Sequence, residues 1–349
     1  MPGKKASIRD VAALAGVSLT TVSHVLNDAN GARVAEETRA RVRDAAQKLA
    51  YTPNRMARGL RMQRTHTLGL ISDYVATTPY AVDMILGAQE AGLKHGWTLL
   101  LLNTGADART ERAAIAELLQ HQAEGVLYAT MYHQVVSVPE GLREVPTVLL
   151  DAETSDPLMP AVIPDELGGA LAAVNYLIQH GHRRIGYLNN EDDIPATRAR
   201  LEGYRTALAE AGVDWDDSLV RTAPATAAGG YLTARALVTR TPRPSALFCF
   251  NDRMAMGAYR AAAEATLAIP EDLSIVGFDN QQVIAEGLHP QLTTVSLPHY
   301  EMGYWAVEAL IERIESPGEV QAAAYPHVMA CPVVPRASVA KPPDGATPR

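Results

Sequence analysis

The stretch "VSLTTVSHVLN", Val17 to Asn27, decides how the N-terminal part of the chain is read. Spaced three and four apart, Val22, Val25 and Leu26 form an apolar face suited to a small core, while Leu19, Thr20, Ser23 and His24 fall largely on the other faces. The preceding run "SIRDVAALAG" carries Ile8, Val11, Ala12, Leu14 and Ala15 at helical spacing, with Ser7 and Asp10 three residues apart in a capping arrangement. Gly16 can take positive φ, and Ser18 can cap the helix that follows. A third helix is expected over about residues 36–50, opened by Glu36 and Glu37 and striped with Val42, Ala45, Ala46 and Leu49. Two helices around a tight glycine-bearing turn, closed by a third, make a helix-turn-helix head.

Charge bears on whether the outer side of the second helix meets DNA or only water. The chain has 349 residues and a net charge of −8. Residues 1–64 hold twelve Lys/Arg against five Asp/Glu, or +7, and the remainder holds nineteen against thirty-four, or −15. A basic head on an acidic body is the asymmetry expected where one small domain meets a polyanion; a solvated basic face is the alternative. The length suits two or three domains, and 47% hydrophobic with 20% charged residues is ordinary soluble composition. No run approaches the ~18 apolar residues of a membrane span. The basic start is not followed by a continuous apolar segment, so no secretory signal or membrane partner is expected and the cytoplasm is the expected compartment. Two cysteines, Cys249 and Cys331, support neither a disulfide framework nor a zinc site, and no metal or cofactor is expected.

Pro53 ends the third helix, and "NRMARGLRMQRT" then places Arg55, Arg58, Arg61 and Arg64 at every third position. By itself this is a basic linker of marginal helix tendency. From Thr67 the texture changes to short apolar runs alternating with amphipathic helices: "TLGLIS", "WTLLLLN", "GVLYAT", "PTVLLD", then again "RRIGYLNN", "SALFCFN", "LSIVGFDN" and "LTTVSLP". Such alternation indicates parallel α/β sheets, and two series indicate two similar lobes with ligand bound between them at the strand ends. The expected fold is thus an all-α helix-turn-helix head (1–52), a hinge (53–64) and an α/β body (65–340) of two doubly wound parallel-sheet lobes. Lobe 1 takes about 65–163 and 295–325, and lobe 2 about 164–294 and 326–340. The chain after Pro332, rich in Pro, Ala and Lys, is expected to be loose, with 341–349 as a tail.

The ordered segments "IRDVAALAGVSLTTVSHVLN", "TRARVRDAAQKLAYTPNRMARGL", "QHGHRRIGYL", "RLEGYRTAL", "FNDRMAMGAYRA", "DLSIVGFDN" and "PQLTTVSLP" make the chain resemble the LacI/GalR family of bacterial transcriptional regulators, from about residue 7 to about 336. The resemblance implies a homodimer on near-palindromic double-stranded operator DNA, a body similar to periplasmic sugar-binding proteins, and a small effector, a sugar above all, in the interlobe cleft. Repression of carbohydrate-utilisation genes is the implied role; a purine or other metabolite as effector is the alternative. By the family pattern Leu19, Thr20 and His24 face base edges: Leu19 toward a thymine methyl, Thr20 toward several bases, His24 toward guanine. Many relatives have Arg at the His24 position, and a histidine lacks that residue's fork, so weaker guanine discrimination is expected. Thr21 and Ser23 suit backbone phosphates. The resemblance further makes Leu60 a minor-groove wedge, with Asn54, Arg55 and Arg58 on phosphates and groove edges; packing of Leu60 against the body is the other reading.

The same resemblance assigns Asp73, Tyr74, Asp151, Arg200, Asn251 and Asp279 to effector binding. Asp or Asn after a strand also commonly caps a helix or turn, and that reading stays open for each. Ala225 stands near the place of an aromatic stacking residue in some sugar-responsive relatives, and Leu297 and Pro298 replace a polar pair, which weakens the sugar assignment. Tyr74, Tyr80, Tyr132 or Phe250 can supply an aromatic wall. An α/β enzyme is the rival class, but no G-x-G-x-x-G, P-loop, G-x-S-x-G or H-E-x-x-H pattern occurs. "HGHRR" (180–184) reads as structural. A periplasmic solute-binding protein would share the body but not the basic head.

Overall fold

The computed structural model describes residues 6–26, 34–51, 64–79, 81–316 and 325–343. They divide into two compact units, Met1–Thr65 and His66–Arg349.

Among its described residues the first unit holds three helices, α1 (Ile8–Ala15), α2 (Leu19–Leu26) and α3 (Glu36–Lys48). The capping box at the start of α1 forms: the Ser7 hydroxyl and backbone N–H both donate to Asp10 Oδ2, at 2.7 and 2.8 Å. Gly16 ends the helix at φ 67°, in the left-handed region that a side chain disfavours. The Ser18 hydroxyl accepts from the Thr21 N–H at 3.1 Å, starting α2 three residues later. Val11, Ala15, Val22, Val25, Val42 and Ala45 meet in one small core.

The second unit alternates strands and helices. Its first half runs β1 (Thr67–Ser72), α4 (Val82–Lys94), β2 (Thr98–Asn103), α5 (Ala108–Gln120), β3 (Gly125–Val135), β4 (Thr147–Glu153) and β5 (Ala161–Pro164). Next come α6 (Glu166–Gln179), β6 (Ile185–Asn190), α7 (Pro195–Glu210), β7 (Val220–Ala223), α8 (Ala227–Val238), β8 (Ala246–Cys249), α9 (Asp252–Glu264), β9 (Ser274–Asp279), the single turn α10 (Gln282–Ala285) and β10 (Thr293–Ser296). The chain closes with α11 (His299–Glu315), β11 (His327–Met329) and β12 (Val333–Val334). Two six-stranded sheets result, ordered β11-β5-β4-β3-β1-β2 and β12-β10-β9-β8-β6-β7. All pairings are parallel except β10 with β12.

Two details depart from the sequence expectation. The chain passes between lobes at 164–166, 296–299 and 329–333, so β10 belongs to lobe 2 and β11 to lobe 1, where boundaries at 294/295 and 325/326 were expected. Three- and four-residue strands carry too little pattern to choose a sheet; the backbone partners available at each edge decide it. The chain after Pro332 is also not loose, at least through Ala340. Ser338 is fully buried, its hydroxyl donating to the Ile275 carbonyl (2.6 Å) and accepting from the Thr293 N–H (2.8 Å). His182, from "HGHRR", anchors the same segment. Its Nε2 lies 2.9 Å from the Ala340 carbonyl and its Nδ1 2.9 Å from the Ser245 hydroxyl. Burial holds the ring neutral, with its pKa down at about 4, so "HGHRR" is structural.

Helices cross at glycine. A Cβ on Gly303 of α11 would sit 2.0 Å from the Met84 carbonyl of α4, and one on Gly87 would sit 2.0 Å from the Tyr300 carbonyl. Backbone in such contact cannot yield as a flexible side chain can. Gly303→Ala is therefore expected to destabilise the body by about 1–3 kcal/mol, although alanine is the better helix former by up to ~1 kcal/mol. Urea denaturation reads the sign; a stabilised variant would refute the close crossing. A second expectation concerns acid. A histidine whose folded pKa is depressed contributes stability above its unfolded pKa, and this is lost as pH falls toward 4. Between pH 7 and 4 the wild type should lose stability more steeply than His182→Asn; parallel curves would show that the buried ring does not titrate with folding.

Candidate functional site

Two surfaces carry candidate residues, one in each unit. On α2, Val22 and Val25 are buried, whereas Leu19, Thr20 and His24 are exposed together on the outer side, Leu19 at 44%. Thr21 and Ser23 are half-buried, and the Thr21 hydroxyl lies 2.9 Å from that of Ser18. Thr21 thus serves the helix start as well as whatever α2 meets. Asn54, Arg55, Arg58 and Leu60 lie outside the described residues, as does Tyr80.

In the body, a cavity of about 170 Å³ opens between the lobes, walled by the C-terminal ends of strands from both sheets. A register shift in β3 between Ala129 and Gln134 breaks its ladder with β4. It falls where Met131, Tyr132 and His133 enter the wall. Asp151 from β4 stands at φ 56° and Asp279 from the end of β9 at φ 98°. Left-handed backbone at a non-glycine residue costs of order 1–3 kcal/mol and clusters at ligand sites. Asp151, Arg200, Asn251 and Asp279 all line the cavity. Asp73 and Tyr74 do not: Asp73 caps the turn after β1 by accepting from the Tyr74 N–H, and the Tyr74 hydroxyl donates to the Gly105 carbonyl at 2.7 Å. Of the aromatic candidates, Tyr132 and Phe250 reach the wall.

Sequence reasoning missed Glu166, which lines the cavity. Its carboxylate accepts from Arg200 Nε at 2.6 Å and from Nη2 at 3.1 Å, a two-point clasp between residues that are 3 and 5% exposed. Arg200 Nη1 donates to the Phe250 carbonyl and lies 3.4 Å from Asp279 Oδ1. The Phe278 and Phe250 rings cover the guanidinium, with centroids 3.6 and 4.4 Å from Cζ. Asn251 is both cap and wall: its Oδ1 accepts from the Met254 N–H at 2.9 Å while Nδ2 donates to the Ala225 carbonyl at 3.2 Å. Asn190, His133 and Asp192 were also missed. The only hint was position, since Asn190 ends β6 and Glu166 opens α6 directly after a strand.

The cavity is crowded with carboxylates, and burial governs their charge. Desolvation pushes Asp151 well above the usual carboxylate range, with Glu166 adding to the rise. Asp279 is raised to about 6 by burial, against the pull of Arg200. His133 is held below the usual imidazole pKa by burial, against the pull of Glu153. Asp151 Oδ1 and Asn190 Oδ1 are buried acceptors without a hydrogen-bond donor. Among the described residues no group of three or more His, Cys, Asp or Glu side chains is placed to hold a metal ion, and no helix is long and apolar enough to cross a membrane.

Both units match known families. Residues 7–54 match the family model for bacterial regulatory proteins of the lacI family. Residues 65–329 match that for periplasmic binding proteins and the sugar binding domain of the LacI family. The ribose operon repressor of Escherichia coli K12 is 35% identical over 314 residues, spanning 89% of this chain and 94% of that repressor. The transcriptional repressor PurR of Vibrio atlanticus is 34% identical over 312 residues, 89% of this chain and 92% of PurR. A LacI-family regulator structure from Rhizobium etli superposes with a TM-score of 0.71 at 34% identity, covering 79% of this chain and all of that one. The chain belongs to the lacI family of bacterial regulatory proteins: it is a DNA-binding transcriptional regulator with a ligand-binding body, not an enzyme.

Proposed function

We propose that the protein is a cytoplasmic repressor that binds a near-palindromic operator as a homodimer and is controlled by a small effector in the interlobe cavity. The observation that carries this reading is the pairing of an exposed Leu19–Thr20–His24 surface on a capped helix with a buried polar cavity in the body. A basic head supplies the sequence-independent attraction to phosphates, and base-edge contacts from α2 supply the choice of site. Thr20 and His24 offer single hydrogen bonds where a guanidinium would offer two, so Leu60, as a wedge at a central base step, carries part of the specificity. Val82, Leu86 and Leu93 form an exposed apolar stripe along one side of α4, as a surface meeting a second copy would. The cavity is smaller than the ~300–1,000 Å³ of drug-sized sites, which suits a monosaccharide or a nucleobase, the ligands suggested by the ribose and purine repressors among the relatives.

An effector can shift DNA affinity only through its differential affinity for two arrangements of the protein. The test is a gel shift on DNA from upstream of the protein's own coding sequence, across a salt series, with pentoses, hexoses and nucleobases added. Specific retardation that weakens with salt and responds to one of these ligands is expected; retardation indifferent to DNA sequence would overturn the repressor reading. Thr20→Ala with His24→Ala should change the preferred operator bases while unfolding stability stays within about 0.5 kcal/mol, as for exposed positions. Unchanged base preference would remove α2 from the groove. Leu60→Ala should weaken operator binding at least tenfold more than nonspecific binding, and equal losses in competition assays would dismiss the wedge.

A further inference from the structure

Resting on the reading of the interlobe cavity as the effector site, we propose that Glu166 is its specificity-determining residue. By clasping Arg200 it occupies the guanidinium fork that an anionic ligand would use there, and it favours an uncharged ligand that carries hydroxyl or N–H groups.

An arginine in a ligand cavity ordinarily invites a phosphate or carboxylate, because its planar fork matches two oxygens. Here that edge is turned inward. Nε and Nη2 are taken by the two oxygens of Glu166, and Nη1 by the Phe250 carbonyl and Asp279. The flat faces are covered by Phe250 and Phe278. Arg200 lines the cavity, yet its hydrogen-bonding capacity is spent almost entirely on protein.

What the wall retains for a ligand includes two buried oxygens. Asp151 Oδ1 and Asn190 Oδ1, both on residues 2–3% exposed, have no hydrogen-bond partner, and they share the wall with the His133 ring and the Arg253 guanidinium. Glu166, Asp192 and Asp279 face Arg200 and Arg253, while burial works against a charge on Asp151; Arg253 already offsets Asp279. His133 adds no positive charge, since burial favours its neutral form. A phosphorylated or carboxylated ligand would bring a further anion, with its own hydration lost, into a wall with acceptors to spare. A hydroxyl or ring N–H satisfies those acceptors at no such cost. The shared chemistry is that of an unphosphorylated sugar or a neutral nucleobase.

The experiment uses the full chain, with melting and calorimetric titration against matched sets. These are pentoses and hexoses with their phosphates and uronates, and nucleobases with their nucleoside monophosphates; the two arms distinguish the source of the donors. At least one uncharged compound is expected to bind about 100-fold more tightly than its charged counterpart. Glu166→Gln, which frees the guanidinium fork, should narrow that ratio at least tenfold, by gaining the anion rather than only by losing the parent. Glu166→Asp, which keeps the charge but loosens the clasp, should narrow it less and covers the case in which the glutamine variant does not fold. Asp151→Asn should weaken the uncharged ligand without admitting the anion. A charged compound that binds the wild type as tightly as its parent overturns the proposal but leaves the effector reading intact. So does an unchanged ratio in a folded Glu166 variant. Failure of every compound to bind overturns the effector reading and this proposal with it.

Discussion

The ion pair between Glu166 and Arg200 is the constraint on which the cavity depends. Removing two charges from water is expensive, and a buried pair persists only where good geometry and further hydrogen bonds offset that loss. Both conditions hold, with two short contacts between the partners and two further acceptors on Nη1. The pair also ties together the elements that meet at the lobe boundary. Glu166 opens α6 just after the first crossover, Arg200 sits on α7, Phe250 follows β8 and Asp279 ends β9. Loss of either partner would leave an uncompensated charge in the middle of that junction, which makes the position both a structural keystone and a filter on ligands.

Around this pair the body tolerates an unusual density of buried acid. Asp151, Asp252 and Asp279 are all raised by desolvation. Asp252 is restrained by the Thr294 hydroxyl and the Gln281 N–H, both at 2.6 Å, whereas Asp151 Oδ1 has no such donor. Strained backbone at Asp151 and Asp279 points the same way, since left-handed conformations at aspartate are kept where the surrounding structure over-determines them. The contrast separates the carboxylates that complete the fold from the one that holds capacity in reserve.

Legibility followed the range of the interactions. The Ser7–Asp10 box, the turn at Gly16, the Ser18 cap and the apolar faces of α1 and α2 are local, and all could be read from spacing. The family resemblance named Asp151, Arg200, Asn251 and Asp279, and all four line the cavity, Arg200 from within α7 and the others from strands or their ends. Glu166 was missed, because it acts through a residue 34 positions away and looks like any acid in a first helical turn. Asp73 and Tyr74 stand at a strand end as well, but Asp73 accepts from its neighbour's N–H and the Tyr74 hydroxyl reaches the Gly105 carbonyl, 31 positions away. Prolines and alanines after residue 332 suggested slack chain; the Ser338 hydroxyl and the Ala340 carbonyl, tied to distant strands, made it a strap.

The three crossings between lobes have a consequence for how the chain is made. Lobe 1 is not finished by its first hundred residues of sheet and helix, because α11 covers β3 and β4 and β11 pairs with β5 only after nearly the whole polypeptide exists. A ribosome therefore releases most of lobe 2, itself still without β12, while its neighbour lacks a helix and an edge strand. The half-built sheet must stay out of trouble with other chains until the last segment arrives. Neither lobe is a contiguous stretch that could be cut out and expressed alone, so truncation from the C-terminal side damages both: first lobe 2, which loses the Ser338 strap and β12, then lobe 1, which loses β11 and α11.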